Sequence, residues 1–546
     1  MTEQPWWRGA AIYQIYIRSF CDSNGDGQGD LPGVISKLDY IRDLGVDAIW
    51  LSPLHPSPDR DWGYDVSDYE GIHPDYGTQD DFDRLLGEAH ARGVKVMLDE
   101  VLAHTSDEHA WFVASLQDGE KADWYVWVPP KADGTAPNNW LSAFGGSAWS
   151  YQPARREYYH HKFLRQQPKL NWRNAEAKAA ALGVLQHWLQ RGVDGFRLDV
   201  ANAFFHDPAL TDNPAVRMAE RTDAMWRHAP YLQLHHHDSN LRDNIEALDE
   251  IRRTVERWPY RFVMGEFSEE PARCGAFAAP EEGLHSGYSF PLLQARKLGP
   301  DFIRLHYNLL ARFPAHWPCV AFSNHDVVRT VSRFGGDDPP PNLAKLMLAL
   351  LFSLKGTALL YQGEELGLPE ADIRREQIRD PVGDLYWPYT GGRDGCRTPL
   401  PWDASAANFG FTSGVPWLPL APKHRVLAVS EQERDAESAL SFARRFLAFR
   451  RSRAALRWGE MTFVDALPPL LAFARDYDGD GLLCVFNMSG EAAEFTHELV
   501  GGTEQSGVGF GGVAVANRVE LAPYGSWFGR LSKASSTASM GSSTQR

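Results

Sequence analysis

The sequence predicts an α/β fold: a (β/α)8 TIM barrel with an irregular insertion domain after strand 3 and a C-terminal all-β sandwich domain. Three observations predict it. Short apolar runs alternate with helical patterns, which is typical of parallel βαβ units. Eight such runs occur, and eight parallel strands close a barrel. Beyond the last long helical pattern, the sequence changes to short strands separated by glycine-containing turns.

The predicted barrel strands are runs of four to six residues with few polar positions. Their ranges are 11–16, 47–51, 94–99, 195–200, 262–266, 289–292, 320–324 and 358–361. Helical spacing of apolar residues predicts helices over 35–44, 81–93, 175–191 and 438–456.

The domain boundaries follow from where this alternation stops. Between residues 104 and 174 the chain is rich in Trp, Tyr, Pro and Gly and has few helical periods. We therefore predict a barrel formed by residues 1–103 and 175–457, interrupted by an insertion domain over 104–174. Residues 458–532 are predicted to form the β-sandwich domain. The Ser/Thr-rich tail, 533–546, is predicted to be disordered.

Composition excludes several classes of partner. The formal net charge is −16 and no strongly basic run is present, which argues against nucleic acid and anionic membranes. Five scattered cysteines predict reduced thiols, with neither a disulfide framework nor a zinc site. No signal-peptide pattern or long apolar stretch is evident. We expect a cytoplasmic monomer or homodimer that acts on a small neutral molecule.

Three carboxylates stand at the carboxyl ends of predicted strands: Asp199, Glu266 and Asp326. In a closed barrel these ends meet at one face, where active sites are built. A single Asp there is most simply explained as the cap of the following helix. Three acids at equivalent strand ends instead favour a site that cleaves glycosidic bonds, because this reaction needs a pair of carboxyl groups.

Arg197 supports a catalytic role for Asp199. Strand alternation places the two side chains on the same face. We expect the guanidinium to keep Asp199 ionised, as a nucleophile requires. Glu269 and Glu270 follow Glu266 closely, but the strand position favours Glu266.

Four motifs, in this order, resemble those of glycoside hydrolase family 13, the α-amylase family. They are DEVLAH at 99–104, GFRLD at 195–199, GE at 265–266 and FSNHD at 322–326. The resemblance is greatest to the α-glucosidase and oligo-1,6-glucosidase branch. It implies that Asp199 is the nucleophile, Glu266 the general acid/base and Asp326 a ligand of the sugar 2- and 3-hydroxyls. It also implies that further residues line the first sugar subsite: His104, Arg197 and His325.

The same resemblance implies how the pocket is closed. Asp65, in WGYDVSDY, resembles the ligand of the outermost hydroxyls, and Arg393, in GGRDGCRTPLPW, resembles its partner. The alternative is a surface salt bridge of little energetic value. Val200 resembles the residue found in 1,6-active members. Aromatic residues are interpreted as sugar platforms: Tyr64, Phe144 and Phe163.

An acidic loop after the first strand is a candidate cation site. Asp22, Asn24, Asp26 and Asp30 match positions 1, 3, 5 and 9 of an EF-hand loop, with the carbonyl of Gln28 also available. Position 12 is a glycine, so the loop is not an EF-hand, and an Asp/Gly turn cluster is the alternative. The resemblance implies a structural Ca²⁺ or Mg²⁺ and no cofactor for catalysis.

Two residues depart from the family pattern. Ala103 replaces the asparagine that supports a second, structural calcium in amylases, which argues against that site. Lys169, in QPKLN, stands where the branch has aspartate.

The leading hypothesis is a retaining, exo-acting α-glucosidase for short α-glucosides, whose covalent intermediate also permits glucosyl transfer. A sucrose hydrolase or isomerase is the alternative with the same chemistry, decided by residues 326–333 and 365–392. An alternative from another class is a non-catalytic, amylase-like binding module. The presence of all three acids argues against it.

Overall fold

The computed structural model describes residues 4–117, 119–221, 229–268, 271–279, 282–297 and 299–531. The predicted disordered tail and the two glutamates that follow Glu266 closely, 269 and 270, lie outside this part of the chain. Strands and helices are numbered below in chain order.

Eight parallel strands form the central sheet, and they confirm the predicted barrel. The strands are β1 Ala11–Ile15, β2 Ala48–Leu51, β3 Lys95–Glu100, β7 Gly195–Leu198, β8 Phe262–Phe267, β11 Ser286–Ser289, β12 Cys319–Ala321 and β13 Thr357–Tyr361. Their spatial order is β11-β8-β7-β3-β2-β1-β13-β12, with every neighbouring pair parallel. The end strands β11 and β12 also contact each other, so the sheet closes on itself.

The prediction for the sixth strand was wrong in register. Residues 289–292 were expected to be extended, but the strand ends at Ser289 and a helix begins at Phe290. The apolar residues of this run suit either structure. Pro291 decides between them, because its fixed φ fits the first turn of a helix and it lacks the N–H that a central strand needs.

The helices that flank the barrel begin at recognisable caps. Thr78 and Asp81 form a capping box at the start of the third helix, and the Asn174 side chain accepts from two N–H groups of the fifth. The helices up to β13 are α1 Leu31–Ser36, α2 Leu38–Leu44, α3 Gln79–Ala91, α4 Ala110–Ser115, α5 Ala175–Gln190, α6 Asp243–Val255, α7 Pro271–Phe277, α8 Phe290–Gln294, α9 Pro300–Leu310, α10 Thr330–Gly335 and α11 Pro341–Ser353. Those after β13 are α12 Pro381–Tyr386, α13 Val429–Gln432, α14 Ala439–Ser452, α15 Ala454–Trp458 and α16 Glu498–Gly501.

Between β3 and β7 the chain leaves the barrel, as the broken alternation predicts. This region contains α4 and a small antiparallel sheet in the order β4-β6-β5. Its strands are β4 Trp127–Val128, β5 Trp149–Gln152 and β6 Glu157–His160. Two short strands, β9 Ala278–Ala279 and β10 Glu282–Gly283, form a separate hairpin before β11.

The C-terminal region forms one antiparallel sheet in which a single long strand pairs with four others. Its strands are β14 Glu460–Val464, β15 Leu470–Tyr477, β16 Asp480–Asn487, β17 Ala493–Thr496, β18 Thr503–Gln505, β19 Phe510–Val515 and β20 Arg518–Leu531. The first half of β20 pairs with β17 and β19, and its second half with β16 and β18. The predicted sandwich layers are therefore joined through this strand.

Strand alternation divides the barrel residues between an inner and an outer core. Met97 and Met264 point into the barrel, whereas their neighbours Leu98 and Val263 pack against the helices. Two residues further along these strands, the inward positions are occupied by Asp99 and Glu266. All five cysteines are buried and free. Among the described residues, none of the helices combines the length and apolar character that a bilayer crossing requires.

Candidate active site

The candidate active site is centred on the buried guanidinium of Arg197. One of its nitrogens, Nη1, lies 2.7 Å from Asp99 Oδ1 and 2.9 Å from Asp199 Oδ1. The other, Nη2, lies 2.5 Å from Glu266 Oε1. The inward positions at the ends of β3, β7 and β8 thus meet on one cation, and the structure brings Asp199 and Glu266 together as the sequence predicts.

Glu266 receives more hydrogen-bond donors than Asp199. The hydroxyl of Tyr288, on β11, donates to Glu266 Oε1 at 3.0 Å, and the backbone N–H of Val200 donates to Oε2 at 3.3 Å. Arg197 Nε in turn donates to the Tyr288 hydroxyl at 3.1 Å. Sequence reasoning missed Tyr288, because it lies just before the predicted sixth strand, 289–292.

Several neighbouring groups besides Arg197 act on the pKa of Asp199. Burial raises the pKa of Asp199 well above its usual range, and the charges of Glu266, Asp99 and Asp326 raise it further. Arg197 lowers this pKa but does not outweigh those effects. The effect of Arg197 is limited because this one cation is shared among three buried carboxyl groups. That Arg197 keeps Asp199 ionised stays a prediction.

Asp326 is held by two arginines and a histidine that do not belong to the Arg197 cluster. Arg397 Nη2 lies 2.9 Å from Asp326 Oδ1, Arg393 Nη1 lies 3.2 Å from the same oxygen, and His325 Nε2 lies 3.3 Å from Oδ2. Although burial raises its pKa, the contact with His325 and the charges of Arg393 and Arg397 outweigh this effect and bring the pKa of Asp326 below its usual value. Asp326 is therefore ionised at neutral pH and free to accept from sugar hydroxyls.

Arg393 pairs with Asp61, so the predicted pairing of Arg393 with Asp65 was wrong. Arg393 Nη2 lies 2.6 Å from Asp61 Oδ1 and 2.7 Å from Asp380 Oδ1. In the described part of the chain, no ion pair joins Arg393 to Asp65. Asp61 precedes the Trp-Gly-Tyr-Asp motif directly, so the signal for it was present in the same segment.

Asp65 instead closes its own loop. Its carboxylate accepts from Ser57 Oγ at 2.8 Å and from the N–H groups of Arg60 and Asp61, each at 3.0 Å. Burial raises the pKa of Asp65 to about 7. Asp65 thus fixes the backbone that carries Asp61, which is a structural role near the site.

The two predicted histidines are buried near these acids and are neutral. Desolvation lowers the pKa of His104 to about 4 and that of His325 to about 3. His104 Nε2 is 2.9 Å from the carbonyl oxygen of Tyr64 and 3.3 Å from Gln167 Nε2. The Tyr64 ring stacks on His325 with centroids 5.2 Å apart, and its hydroxyl donates to Asp99 at 3.0 Å.

The two predicted phenylalanine platforms contact each other beside these groups. The rings of Phe144 and Phe163 are 5.4 Å apart. Phe163 is 5.5 Å from the His104 ring, and the guanidinium of Arg393 lies 5.2 Å from the centre of the Phe144 ring. Both therefore border the pocket, and their contact with sugar stays a prediction.

Val200 has an unusual backbone conformation. Its φ is 44°, in the left-handed region that β-branched residues disfavour. The turn aims its N–H at Glu266 Oε2. Val200, for which a specificity role is predicted, is therefore strained, and it directly follows Asp199.

Lys169, the departure from the family pattern, lies behind the segment that follows Asp199. It is 1% exposed, and its amine donates to the carbonyl oxygen of Ala203. Burial and the charge of Lys162 lower the pKa of Lys169 to about 7, although Asp238 opposes this shift.

The residues of the predicted cation loop form a series of short turns. Asn24 N–H bonds to Asp22, Asp26 N–H to Asn24, and Gln28 N–H to Asp26, while Asp30 caps α1. The oxygen donors thus face backbone N–H groups. In the described residues, no three acids of this loop place ligand atoms within 4.8 Å of one another. Their oxygen chemistry suits Ca²⁺ or Mg²⁺, and the site stays a prediction.

Comparison with known proteins agrees with the barrel fold. Residues 14–459 match the family described as "Alpha amylase, catalytic domain". The chain is 46% identical to a probable α-glucosidase from Rhizobium meliloti, over 97% of this chain and 98% of the relative. It is 36% identical to an oligo-1,6-glucosidase from Heyndrickxia coagulans, over 91% and 94%. The crystal structure of the α-glucosyl transfer enzyme XgtA superposes with a TM-score of 0.93 and 48% identity, covering 97% of this chain and 100% of XgtA.

Proposed function

Since this chain belongs to the α-amylase family, in its α-glucosidase and oligo-1,6-glucosidase branch, and is a glycoside hydrolase, we propose that it is a retaining, exo-acting α-glucosidase of short α-glucosides. The observation that carries this proposal is the Arg197 guanidinium, which contacts Asp199 with one nitrogen and Glu266 with the other. Two carboxyl groups held side by side suit retention, because an inverting pair must leave room for a water molecule.

In the proposed first step, Asp199 attacks the anomeric carbon while Glu266 protonates the leaving oxygen. The reacting microstate has one proton on this pair, located on Glu266. Burial raises the pKa of Asp199 and of Asp99, which supports a proton retained within the cluster, and the reaction proceeds from the microstate in which that proton lies on Glu266. In the second step Glu266 takes a proton from water, or from another hydroxyl acceptor, as that oxygen attacks the glucosyl-Asp199 ester.

We propose that exo action results from the wall formed by Arg393, Asp61 and Asp380. These three groups carry one positive and two negative charges, and both carboxylates are almost fully buried. Asp61 is bound by Arg393 through one oxygen and by the Gln167 amide through the other, at 3.1 Å. Such a fixed wall would bind the outermost hydroxyls of a terminal glucose and leave no path for a longer chain.

We also propose that Ca²⁺ or Mg²⁺ binds the loop 22–30 and stabilises the protein. The alternating oxygen donors and the three aspartates support it. The loop contacts the segment after residue 410 through Asp22 and Thr412, which suggests that a bound cation would fasten two distant parts of the chain.

The catalytic assignment is tested with Asp199→Asn and Glu266→Gln, with Asp39→Asn on the exposed surface as the matched control. Asp199→Asn is expected to abolish turnover of maltose and of an aryl α-glucoside. Glu266→Gln is expected to lower turnover of maltose about 10²- to 10⁴-fold. The aryl substrate should suffer less, because its leaving group needs little protonation. Normal turnover by Asp199→Asn would contradict the assignment.

Stereochemistry and specificity need a separate measurement. Proton NMR of the first sugar released should show α-glucose before mutarotation, and β-glucose would contradict retention. A panel of maltose, isomaltose, nigerose, sucrose and maltotriose then reports the linkage preference. Isomaltulose or trehalulose as the main product from sucrose would favour the isomerase alternative.

A further inference from the structure

A buried arginine outside the catalytic cluster joins two loops at the rim of the pocket. Arg18 follows β1 in a short 3-10 turn, Ile17–Ser19, and its side chain is 1% exposed. A buried cation must be paired, because burial without a partner is costly. Its partners come from the segments after β2, so the arginine ties the first strand end to the second.

Two carboxylates pair with Arg18. Its Nη2 lies 2.9 Å from both oxygens of Asp59, and its Nη1 lies 3.5 Å from Asp75 Oδ2. Together with His73, these acids are the one described group of three acidic or histidine side chains whose ligand atoms lie within 4.8 Å. Because the guanidinium occupies both carboxylates, this group is an ion-pair cluster and not a metal site.

Aromatic rings enclose the same guanidinium. It lies 5.1 Å from the ring centre of Trp62, 5.2 Å from that of Tyr76 and 5.8 Å from that of Trp417. Trp417 also packs on Trp62, with ring centres 5.0 Å apart. These contacts hold Arg18 in one geometry and exclude water from it.

Asp59 and Trp62, which contact Arg18, stand on either side of Asp61. Their φ values are 57° and 50°, so both residues adopt the left-handed conformation without being glycine. Such residues persist only where the surrounding structure holds them. The Arg18 contacts provide that restraint, since one of them pairs with Asp59 and another covers the Trp62 ring.

The loop 22–30 supports the arginine from the other side. Gly29 N–H donates to the Arg18 carbonyl oxygen at 2.8 Å, and the Gln28 amide donates to Asp75 at 2.9 Å. The backbone N–H of Trp417 donates to the carbonyl oxygen of Gly27 at 3.0 Å. Arg18 therefore lies between the loop that carries Asp61 and the predicted cation loop.

We propose that Arg18 is a positioning residue for Asp61: it holds the strained segment 59–62 so that Asp61 meets Arg393 and closes the pocket. This inference rests on the proposed function, in which that wall binds the terminal glucose. Arg18 touches no catalytic acid, so its effect on the reaction passes through Asp61.

The test uses Arg18→Gln and Arg18→Lys, with Arg42→Gln on the exposed surface as the matched control. Arg18→Gln is expected to raise KM for an aryl α-glucoside about 10- to 100-fold, because a wall displaced by about 1 Å binds poorly. The kcat should change much less, since the catalytic acids stay in place. Arg18→Lys should restore part of the loss, and Arg42→Gln should match the wild type.

A double-mutant cycle separates positioning from general loss of structure. If Arg18 acts through Asp61, adding Arg18→Gln to Asp61→Asn should raise KM by less than about twofold. If the KM increases of the two single variants multiply in the double variant, the two residues act independently and the inference is overturned. A wild-type KM for Arg18→Gln would also overturn it. Should Arg18→Gln fail to fold, Asp59→Asn removes the same ion pair from its more exposed partner and is expected to raise KM in the same way.

The two proposals fail differently. A wild-type protein without activity on any α-glucoside would overturn the proposed function. An active wild type whose Arg18 variants keep a normal KM would overturn the role of Arg18 and leave the catalytic assignment unaffected.

Discussion

Replacing Lys169 with methionine is expected to stabilise the protein strongly at pH 6 and much less at pH 9. The amine is almost fully buried, and in the described residues no carboxylate lies within ion-pair distance of it. Its one hydrogen bond goes to the Ala203 carbonyl oxygen. Methionine fills the same space without a charge, so it removes the cost of burying the ammonium group.

The magnitude follows from the pKa of the amine. Burial lowers the pKa of Lys169 from 10.5 to about 7. Between these values the unfolded chain binds the proton and the folded chain does not, so wild-type stability rises with pH. Below pH 7 the folded state bears the full cost, about 5 kcal/mol at about 1.4 kcal/mol per pKa unit. At pH 9 this cost is smaller by about 3 kcal/mol, because the folded chain has lost the proton.

The assay is denaturant unfolding of the wild type and Lys169→Met at several pH values from 6 to 9. The advantage of the variant should fall by about 3 kcal/mol across this range. Its absolute size is smaller, because methionine leaves the Ala203 carbonyl unpaired at a pH-independent cost of about 1–3 kcal/mol. Neighbouring histidines do not interfere, since burial holds the pKa of His104 at about 4 and that of His206 at about 3.

The matched control is Lys178→Met, which removes a partly exposed amine that pairs with a glutamate. We expect its stability difference to be constant from pH 6 to pH 9. A difference between the wild type and Lys169→Met that is equally constant would refute the reasoning. It would mean that Lys169 keeps its proton in the folded protein and that other groups compensate its charge.

Three further predictions concern the pocket loops and the predicted cation. Asp61→Asn should raise KM for α-glucosides. Asp65→Asn should mainly lower the melting temperature, because Asp65 accepts three hydrogen bonds inside its own loop. Kinetics and thermal unfolding of both variants distinguish these effects, and a change in KM alone for Asp65→Asn would contradict the assignment. Val200→Gly should stabilise the protein by up to about 1 kcal/mol, since glycine adopts the φ of 44° without strain; a lower melting temperature would show that the valine side chain contributes more by packing. Millimolar Ca²⁺ or Mg²⁺ should raise the melting temperature of the EDTA-treated wild type and not that of Asp26→Asn. An equal rise for both proteins would mean that the cation binds outside the loop 22–30.

The barrel and the inner part of the site were predictable because both depend on short-range patterns. Alternation along β7 places Arg197 and Asp199 on one face, and the closure of parallel strands brings Glu266 beside them. Each step needs only the strand period and the strand order. The sixth strand was misplaced where this logic is weakest, in an apolar run whose helical end is decided by Pro291.

The outer part of the site was less predictable because its residues lie on long connections. The segment RDWGYD offers two aspartates, and the sequence alone cannot show which of them faces the pocket. The choice depends on the left-handed turn at Trp62 and on Asp65 accepting from the backbone of its own loop. The contact of Asp380 with Arg393 was not predicted either, because it depends on how the chain between β13 and the Arg393 motif folds back.

The distribution of charge explains why the inner and outer parts differ. The inner cluster has one cation, Arg197, for three carboxyl groups, and burial keeps these charges unscreened. Such a cluster is short of positive charge, and the cation that develops at an anomeric carbon would supply it. Asp326 differs from these acids, since two arginines contact one of its oxygens. An ionised carboxylate fixed in this way suits binding of sugar hydroxyl groups. In the proposed mechanism, proton transfer therefore involves only the inner cluster. The expectation that Arg197 keeps Asp199 ionised considered one pair within a group of four.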